Sequence, residues 1–254
     1  MLEICQEDLP IRPWAEPDLK RLPGMRPVST DEWLVRDEVF AAQMAYRDWL
    51  VAHERERVLA EGASQVATEA RDLVLRTIAA DPGYAIDGDR VTRPDGVQID
   101  LGADTPIATM ARLAQEDICI LEKQGDEHVL TAAALCFPAS WSLAEKRDRP
   151  LMRIHAPVAR YDANIGKRVQ RLFDALSHDR VLMRGNYLTY ADADLFQPRR
   201  EDARRSDTSF NFLRVERQTL RKLPQSGAIL FSIHTYVLPA ARLSDADRAA
   251  VIGE

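Results

Sequence analysis

Two neighbouring runs, residues 212–224 and 228–236, have the composition of β-strands, and the second alternates strictly between polar and apolar residues. Turn residues from Pro224 to Gly227 separate them, so the two runs predict a β-hairpin. The alternating polar residues are Arg214, Glu216 and Gln218 in the first run and Ser232, His234 and Tyr236 in the second. We expect these side chains to share one face, which could carry chemistry or simply meet water.

Histidine is the residue type most able to do chemistry here, because the common catalytic signatures are absent. The chain has no GxGxxG, P-loop, GxSxG or HExxH motif. His155 lies in the apolar run 151–158, where an imidazole could point into a cavity as an axial ligand of haem iron. The alternative is a structural histidine that is held by hydrogen bonds.

Composition limits the function classes. The 254 residues carry a net charge of −6, which argues against nucleic-acid binding because phosphate neutralisation needs a basic surface. No signal peptide and no apolar run of membrane-spanning length is found. Cys5, Cys119 and Cys136 are widely spaced and predict reduced thiols in a cytoplasmic protein rather than disulfides or a zinc or iron–sulfur site.

The first third of the chain reads as mainly helical after a proline-rich arm, residues 1–28. A capping box at Ser29 predicts a long helix toward Glu61, and apolar stripes predict helices over residues 66–78 and 106–115. The turn dipeptide Asp95-Gly96 predicts a short hairpin. We interpret residues 1–104 as an arm and helical extension packed on a core of residues 105–254, together one compact unit.

Strand patterns dominate the core. Residues 118–121 and 128–137 form two predicted strands around Gly125-Asp126, a helix follows over residues 165–176, and residues 181–190 precede the hairpin. Two strands, a helical crossover and three more strands are the order of a PAS domain. The predicted fold class is therefore α+β, with a PAS-like five-stranded antiparallel sheet, helices over one face and a ligand cavity beneath them. The charged run 199–205 reads as a solvated loop.

Four blocks resemble the haem-dependent oxidative N-demethylase family, specifically its haem-binding subunit. They are residues 115–121, 136–146, 154–158 and 214–220, and the resemblance extends over about residues 15–240. It implies non-covalent haem b in a PAS-like domain and oxidation of a small N-methylated amine such as dimethylamine. It also implies electrons from NADPH through flavin and iron–sulfur partners on other chains, consistent with the missing nucleotide and cluster motifs.

The resemblance implies roles for four residues. His155 becomes the proximal iron ligand, and Arg214 could neutralise a haem propionate, although an Arg214–Glu216 surface ladder is the alternative. Glu116 could receive the substrate ammonium and relay protons, and Tyr236 could donate its hydroxyl to oxygen or substrate. The alternatives are a structural cap for Glu116 and a strand tyrosine with a wet tip for Tyr236.

Glu116 and Asp117 are adjacent carboxylates at the start of the first predicted strand. Because side chains of adjacent strand residues point to opposite faces, only one of the two can face the cavity, and we expect this to be Glu116.

Three positions depart from the family pattern. Asn186-Tyr187 replaces an expected Asn-Trp, Ala159 replaces a second proline, and His234 stands where arginine is usual. We expect the first two to reshape the pocket, while the third argues against His234 as the axial ligand.

Three functions are compatible with the sequence. The first is a haem monooxygenase that N-demethylates a small amine and releases formaldehyde. The second is a non-catalytic haem- or small-ligand-binding PAS sensor, and the third is an interaction domain without a cofactor. The enzyme is favoured because only a short segment follows Leu243, whereas sensors carry a signalling helix or an output domain.

Overall fold

The computed structural model describes residues 4–20, 24–158, 161–204 and 207–253. The strands in these ranges are β1 (Arg26–Val28), β2 (Leu59–Ala60), β3 (Ala85–Asp87), β4 (Arg90–Thr92), β5 (Gln98–Asp100), β6 (Asp117–Gln124), β7 (Glu127–Ala134), β8 (Val181–Tyr190), β9 (Phe212–Lys222) and β10 (Ile229–Pro239). The α-helices are α1 (Pro17–Lys20), α2 (Phe40–His53), α3 (Arg55–Val58), α4 (Ser64–Ile78), α5 (Pro106–Leu113), α6 (Leu143–Lys146), α7 (Leu151–Ile154), α8 (Ala163–Ala175) and α9 (Asp245–Ile252). Single 3₁₀ turns span Thr30–Glu32 and Ala240–Arg242.

The main sheet has seven antiparallel strands in the order β1-β8-β9-β10-β6-β7-β2. The five long strands match the predicted ones, but the expected sheet of five strands is wrong. Two short strands from the first third of the chain cover its edges: β1 pairs with β8 and β2 pairs with β7. A strand at the edge of a sheet exposes backbone N–H and C=O groups without partners. The short strands β1 and β2 supply hydrogen-bond partners for some of these groups on β8 and β7. Segments this short give no readable periodicity.

The N-terminal third is mainly helical as predicted, with one difference. Glu32 accepts from the Ser29 backbone N–H at 2.9 Å, as a capping box requires, but only the 3₁₀ turn follows and α2 starts at Phe40. Between the 3₁₀ turn and α2, the Val35 N–H donates to the side chain of Glu116 at 2.7 Å. In a helix, this N–H would have donated to a backbone carbonyl. The predicted hairpin at Asp95-Gly96 is present as β4–β5, extended by β3 into a second sheet.

Both faces of the main sheet are covered. One hydrophobic cluster joins α4 and α5 to the face that carries Ile118 and Ile120, and a second joins α7 and α8 to the face that carries Leu220 and Ile233. The helices of the first third therefore lie opposite α7 and α8, with the sheet between them. Among the described residues, no helix combines the length and apolar character that crossing a membrane requires.

A buried ion pair joins α2 to the start of β6. Arg47 donates to Asp117 at 2.7 Å, and both side chains are fully buried. Arg47 also donates to the carbonyl of Ala111 at 2.9 Å, while Asp117 accepts from the backbone N–H groups of Cys136 and Phe137 at 2.7 and 2.9 Å. Burying charge is favourable only when partners satisfy it, and here they do.

We expect Asp117→Asn to lower the free energy of unfolding by roughly 3 kcal/mol or more, since it leaves Arg47 buried without a countercharge. The control is Asp174→Asn, which breaks an exposed pair with Lys123 and should cost about 1 kcal/mol or less. Urea unfolding of the three proteins measures both values. Equal, small losses would mean that Arg47 is stabilised mainly by backbone carbonyls.

Candidate functional site

A cavity of about 510 Å³ lies between the main sheet and the α6–α8 region. Its sheet side is largely apolar and includes Cys119, Leu121, Leu220, Phe231 and Ile233. Its helical side is formed by side chains that include Leu151, Ile154, Val169, Leu172 and Phe173. The volume falls in the range of small-molecule and cofactor sites, whose walls are mostly apolar with a few polar groups. The predicted cavity under these helices is therefore present.

His155 lines this cavity at the end of α7. Its Nδ1 lies 2.9 Å from the Leu151 carbonyl, and because a carbonyl only accepts, Nδ1 carries the proton and Nε2 keeps its lone pair. Burial lowers the pKa of His155, and the hydrogen bond to the Leu151 carbonyl offsets this only in part. The net shift favours the neutral ring. The ring stacks on Tyr161 with centroids 4.1 Å apart. A neutral, oriented imidazole with an uncommitted nitrogen is the form that binds a metal.

The polar residues of the sheet side come from β8 and β9. Arg184, Asn186, Glu216 and Gln218 line the cavity. Glu216 is nearly buried and accepts from the amides of Gln218 at 2.8 Å and Asn186 at 3.2 Å. Burial lowers the pKa of Arg184, partly offset by the charge of Glu216, and its buried Nε has no partner among the described residues. The sheet side of the cavity thus carries the carboxylate of Glu216 and the incompletely paired guanidinium of Arg184, while Lys146, Arg199, Arg200 and Glu201 line the cavity elsewhere.

Arg214, which the sequence suggested for a propionate, is 1% exposed and is not among the cavity-lining residues. It donates to the carbonyls of Leu195, at 3.0 Å, and Phe137, and it lies 3.5 Å from Glu216. Arg214 and Glu216 do form a pair, but the pair is buried and not a surface ladder. Arg184, Arg199 and Arg200 line the cavity, and Arg184 has a buried Nε without a partner in the described part of the chain, which it can offer to an anionic group. Arg214 orients Glu216.

These residues fit a haem group. The apolar walls suit a porphyrin face, Arg184 suits a carboxylate at its edge, and Nε2 of His155 suits the iron. No group of three or more His, Cys, Asp or Glu side chains that could hold a metal ion occurs within the described ranges. Haem iron does not require such a group, because the porphyrin supplies four of its ligands and one protein side chain can complete the attachment.

The other face of the sheet holds a second cluster, centred on His234. Its Nδ1 lies 3.1 Å from Glu116 and its Nε2 lies 3.1 Å from Asp37. Burial alone would lower the pKa of His234, but hydrogen bonds and charges from Asp37 and Glu116 outweigh it and raise the pKa to about 9. Both nitrogens are therefore protonated and engaged at neutral pH. With both nitrogens engaged by carboxylates, His234 offers no free lone pair to a metal, and the expectation that it is not the axial ligand stays a prediction.

Glu116 and Tyr236 do not line the large cavity. The Tyr236 ring lies 4.6 Å from that of His234, and burial raises the pKa of Tyr236 far above its ordinary value. Glu116 binds His234 and the Val35 backbone, while Asp117 binds Arg47, so neither carboxylate faces this cavity. The predicted cavity positions of Glu116 and Tyr236 are wrong here, and their catalytic roles stay untested predictions.

Strand register explains this difference. Gln218 pairs with Ile233 and Glu216 pairs with Thr235, whereas His234 pairs with Arg217. Directly opposed residues share a face, so the expected common face of Glu216, His234 and Tyr236 is wrong.

The departures from the family pattern fall in different places. Asn186 lines the cavity beside Glu216, but Tyr187 contacts Trp14, with ring centroids 5.3 Å apart, in a different hydrophobic cluster. The expected effect of Tyr187 on this pocket is therefore wrong. Ala159 lies outside the described residues.

Arg184 and the cavity role of Glu216 were missed in the sequence. The available signal was a polar residue at every second position of two buried strands, Arg184 and Asn186 in β8 and Glu216 and Gln218 in β9. Alternation identifies such a set but does not say which face of the sheet it occupies.

The fold and the cavity define an α+β protein with a partly open small-ligand site that is lined by a histidine suited to bind iron. A family model described as haem-dependent oxidative N-demethylase, alpha subunit-like, matches residues 24–252. The chain therefore belongs to this family, whose description names haem dependence and an alpha subunit. Comparison with curated proteins gives no match.

The His234 cluster predicts a pH-dependent stability. The folded pKa of about 9 exceeds the ordinary value of 6.5, so the contribution is complete below pH 6.5 and is lost as the pH rises to about 9. We expect the free energy of unfolding to fall by on the order of 3 kcal/mol across this range relative to His234→Asn, which cannot titrate. Urea unfolding at a series of pH values measures the difference. Parallel profiles for the two proteins would exclude a charged His234 in the folded state.

Proposed function

We propose that this protein is a haem-dependent monooxygenase that N-demethylates a small methylated amine of the dimethylamine type. His155 would hold the haem iron, Arg184 would hold a carboxylate of the cofactor, and the apolar walls would pack against the porphyrin. The observation that carries the proposal is the hydrogen bond from His155 Nδ1 to the Leu151 carbonyl. It leaves the lone pair on Nε2, for which the described residues supply no hydrogen-bond donor, in a ring that lines a cavity of about 510 Å³.

The reaction needs more than this chain. Bound haem would supply oxidation of an N-methyl group with O₂, two electrons and two protons, giving water, formaldehyde and the demethylated amine. No dinucleotide motif is found in the sequence. We therefore propose that the electrons come from NADPH through flavin and iron–sulfur partners, which the alpha subunit-like family description supports.

Glu216 is the proposed substrate residue. Glu216 lines the cavity and is only 4% exposed, and donors from Asn186, Arg214 and Gln218 hold it. A buried, fixed carboxylate of this kind suits an ammonium group. An amine N–H can donate to it, which orients the N-methyl group within the apolar space. The same carboxylate can accept the ammonium proton before oxidation and return it to nitrogen when the C–N bond breaks.

The fold supports two finer proposals. The central strands lie in the order β8-β9-β10-β6-β7, with β6 and β7 joined to β8–β10 through the α6–α8 crossover, which supports a PAS-like core. The three cysteines are free and buried, which supports a reducing compartment such as the cytoplasm.

The first test of the function concerns the iron ligand. Haem-supplemented protein should show a Soret band, and His155→Ala should lose it or weaken it strongly, with recovery when imidazole is added. His178→Ala is a control for an exposed histidine, and His234→Ala is a control for a buried one; both should keep the band. A band that survives in His155→Ala but disappears in His234→Ala would overturn the ligand assignment.

The second test concerns Glu216. Glu216→Gln keeps the shape and removes the charge, so haem binding should survive while amine affinity, read from the amine-induced Soret shift, falls by about 10- to 100-fold. Formaldehyde release with a chemical electron donor should fall as well. Glu116→Gln is the matched control on the other face and should leave the Soret shift unchanged. A Soret response to amines without any formaldehyde from the wild type would instead indicate a haem-binding sensor.

A further inference from the structure

The large cavity opens to solvent at two segments of the chain. Among its lining residues, Arg200, Glu201 and Ala203 are exposed on one side, and Pro157 and Val158, which follow α7, are exposed on the other. A residue that lines a cavity and is also exposed lies at its mouth. The charged run that the sequence predicted as a solvated loop therefore also forms one edge of the cavity, and its residues 199–204 are called the rim segment here.

One residue attaches the rim segment to the rest of the protein. The chain just before it is held in place, since the Ser140 N–H donates to the Gln197 carbonyl at 3.1 Å. Within the rim segment, Glu201 makes every hydrogen bond and ion pair that reaches the rest of the described chain. The Arg200 side chain pairs with Asp202 inside the segment, at 3.1 Å. Segments with few contacts open easily, so the position of the rim segment depends on Glu201.

Glu201 contacts both short helices beside the cavity. Its carboxylate accepts from Lys146 of α6, and from Arg153 of α7 through bonds of 3.0 and 3.1 Å. Its backbone N–H donates to Glu145 at 3.1 Å. Lys146 is 5% exposed and has no other carboxylate partner in the described part of the chain. Separation of Glu201 would leave this ammonium buried without a countercharge, so the closed position is favoured.

The same contacts reach the helix that ends at His155. Lys146 also donates to the Ile154 carbonyl at 2.7 Å, and Arg153 lies within α7. With four residues, α7 is too short to be stable alone. Glu201 therefore holds the rim segment and the end of α7 together at the mouth of the cavity.

Glu201 is ionised at neutral pH. Hydrogen bonds from Arg153 and Lys146 lower the pKa of Glu201 to about 2. The charge that holds the rim segment is thus present well below neutral pH, and the segment opens by separation of the ions and not by protonation.

We propose that Glu201 is a latch for the cavity. Its carboxylate holds the rim segment against α6 and α7, and a ligand enters or leaves when the carboxylate separates from Lys146 and Arg153. The latch controls passage and not chemistry, so it applies to any occupant of the cavity. Its test with haem rests on the proposed function.

The test is haem exchange in the full-length protein. Release is followed by transfer of haem from the loaded protein to excess apomyoglobin, and uptake is followed by stopped-flow mixing of the haem-free protein with haem. Glu201→Gln should raise both rates roughly tenfold or more, because the pair with buried Lys146 is lost. The Soret maximum should not move, because the Glu201 carboxylate binds Lys146 and Arg153 and not His155.

Asp202→Asn is the matched control. It removes the same charge one residue away, from an exposed pair with Arg200, and should change both rates by less than about twofold. Arg153→Gln breaks the exposed half of the latch and leaves Lys146 neutralised, so both rates should rise by an intermediate factor. This variant decides if thermal unfolding shows that Glu201→Gln does not fold, and rates equal to those of Asp202→Asn would then contradict the latch.

Two results with Glu201→Gln would overturn the proposal. Rates equal to those of Asp202→Asn would mean that the rim segment does not limit passage. Faster release with unchanged uptake would mean that Glu201 stabilises bound haem and does not control entry.

A wild-type protein that takes up no haem would contradict the proposed function alone. The latch is then tested with anilinonaphthalene sulfonate as the cavity probe. Its fluorescence should appear and disappear faster in Glu201→Gln than in Asp202→Asn, and equal rates would overturn the latch in this case as well.

Discussion

The register between β9 and β10 is the constraint on which both polar sites depend. Glu216 and Gln218 lie opposite Thr235 and Ile233, so they share the face that lines the large cavity. His234 lies opposite Arg217 and therefore faces the N-terminal segment. Because side chains alternate along a strand, a shift of β10 by one residue would exchange the two sets. The long pairing of these central strands, over eleven residues, opposes such a shift.

Buried charges attach the first third of the chain to the back of this sheet. Arg47 and Asp117 join α2 to β6, while His234 joins Asp37 and Glu116. Arg217 of β9 adds a hydrogen bond to the Trp33 carbonyl at 3.2 Å. Each group is surrounded by partners, so removing one leaves another charge buried and unpaired. These contacts require one specific arrangement, whereas hydrophobic packing alone would tolerate several.

The cavity face has the opposite character, with few polar groups in an apolar space. His155 is oriented by a backbone carbonyl, and Glu216 is oriented by Arg214, Asn186 and Gln218. Strand β9 carries Glu216 and fixes its position, since backbone hydrogen bonds to β8 and β10 hold this strand on both sides. Polar groups that are fixed before a ligand arrives need no reorganisation when it binds, which favours both affinity and catalysis. This arrangement supports the proposed haem and amine binding.

The sequence by itself determined the local elements and the family. The long strands, α4, α5 and α8 follow from periodicities that neighbouring residues impose, and the blocks around residues 115–121 and 214–220 identify the family. His155 was selected from its apolar context, and the structure places it in the cavity.

Tertiary structure alone decided which polar residues meet. Glu116 and Tyr236 were assigned to the cavity, yet Glu216 and Arg184 line it. The sequence also did not reveal β1 and β2, or the loss of helix after Ser29. In each case the outcome depends on partners far along the chain: the opposing strand sets the face of a side chain, and Glu116 takes the Val35 N–H that a helix would have used. Local patterns specify alternation and helical spacing, but long-range pairing chooses the side of the sheet on which each group lies.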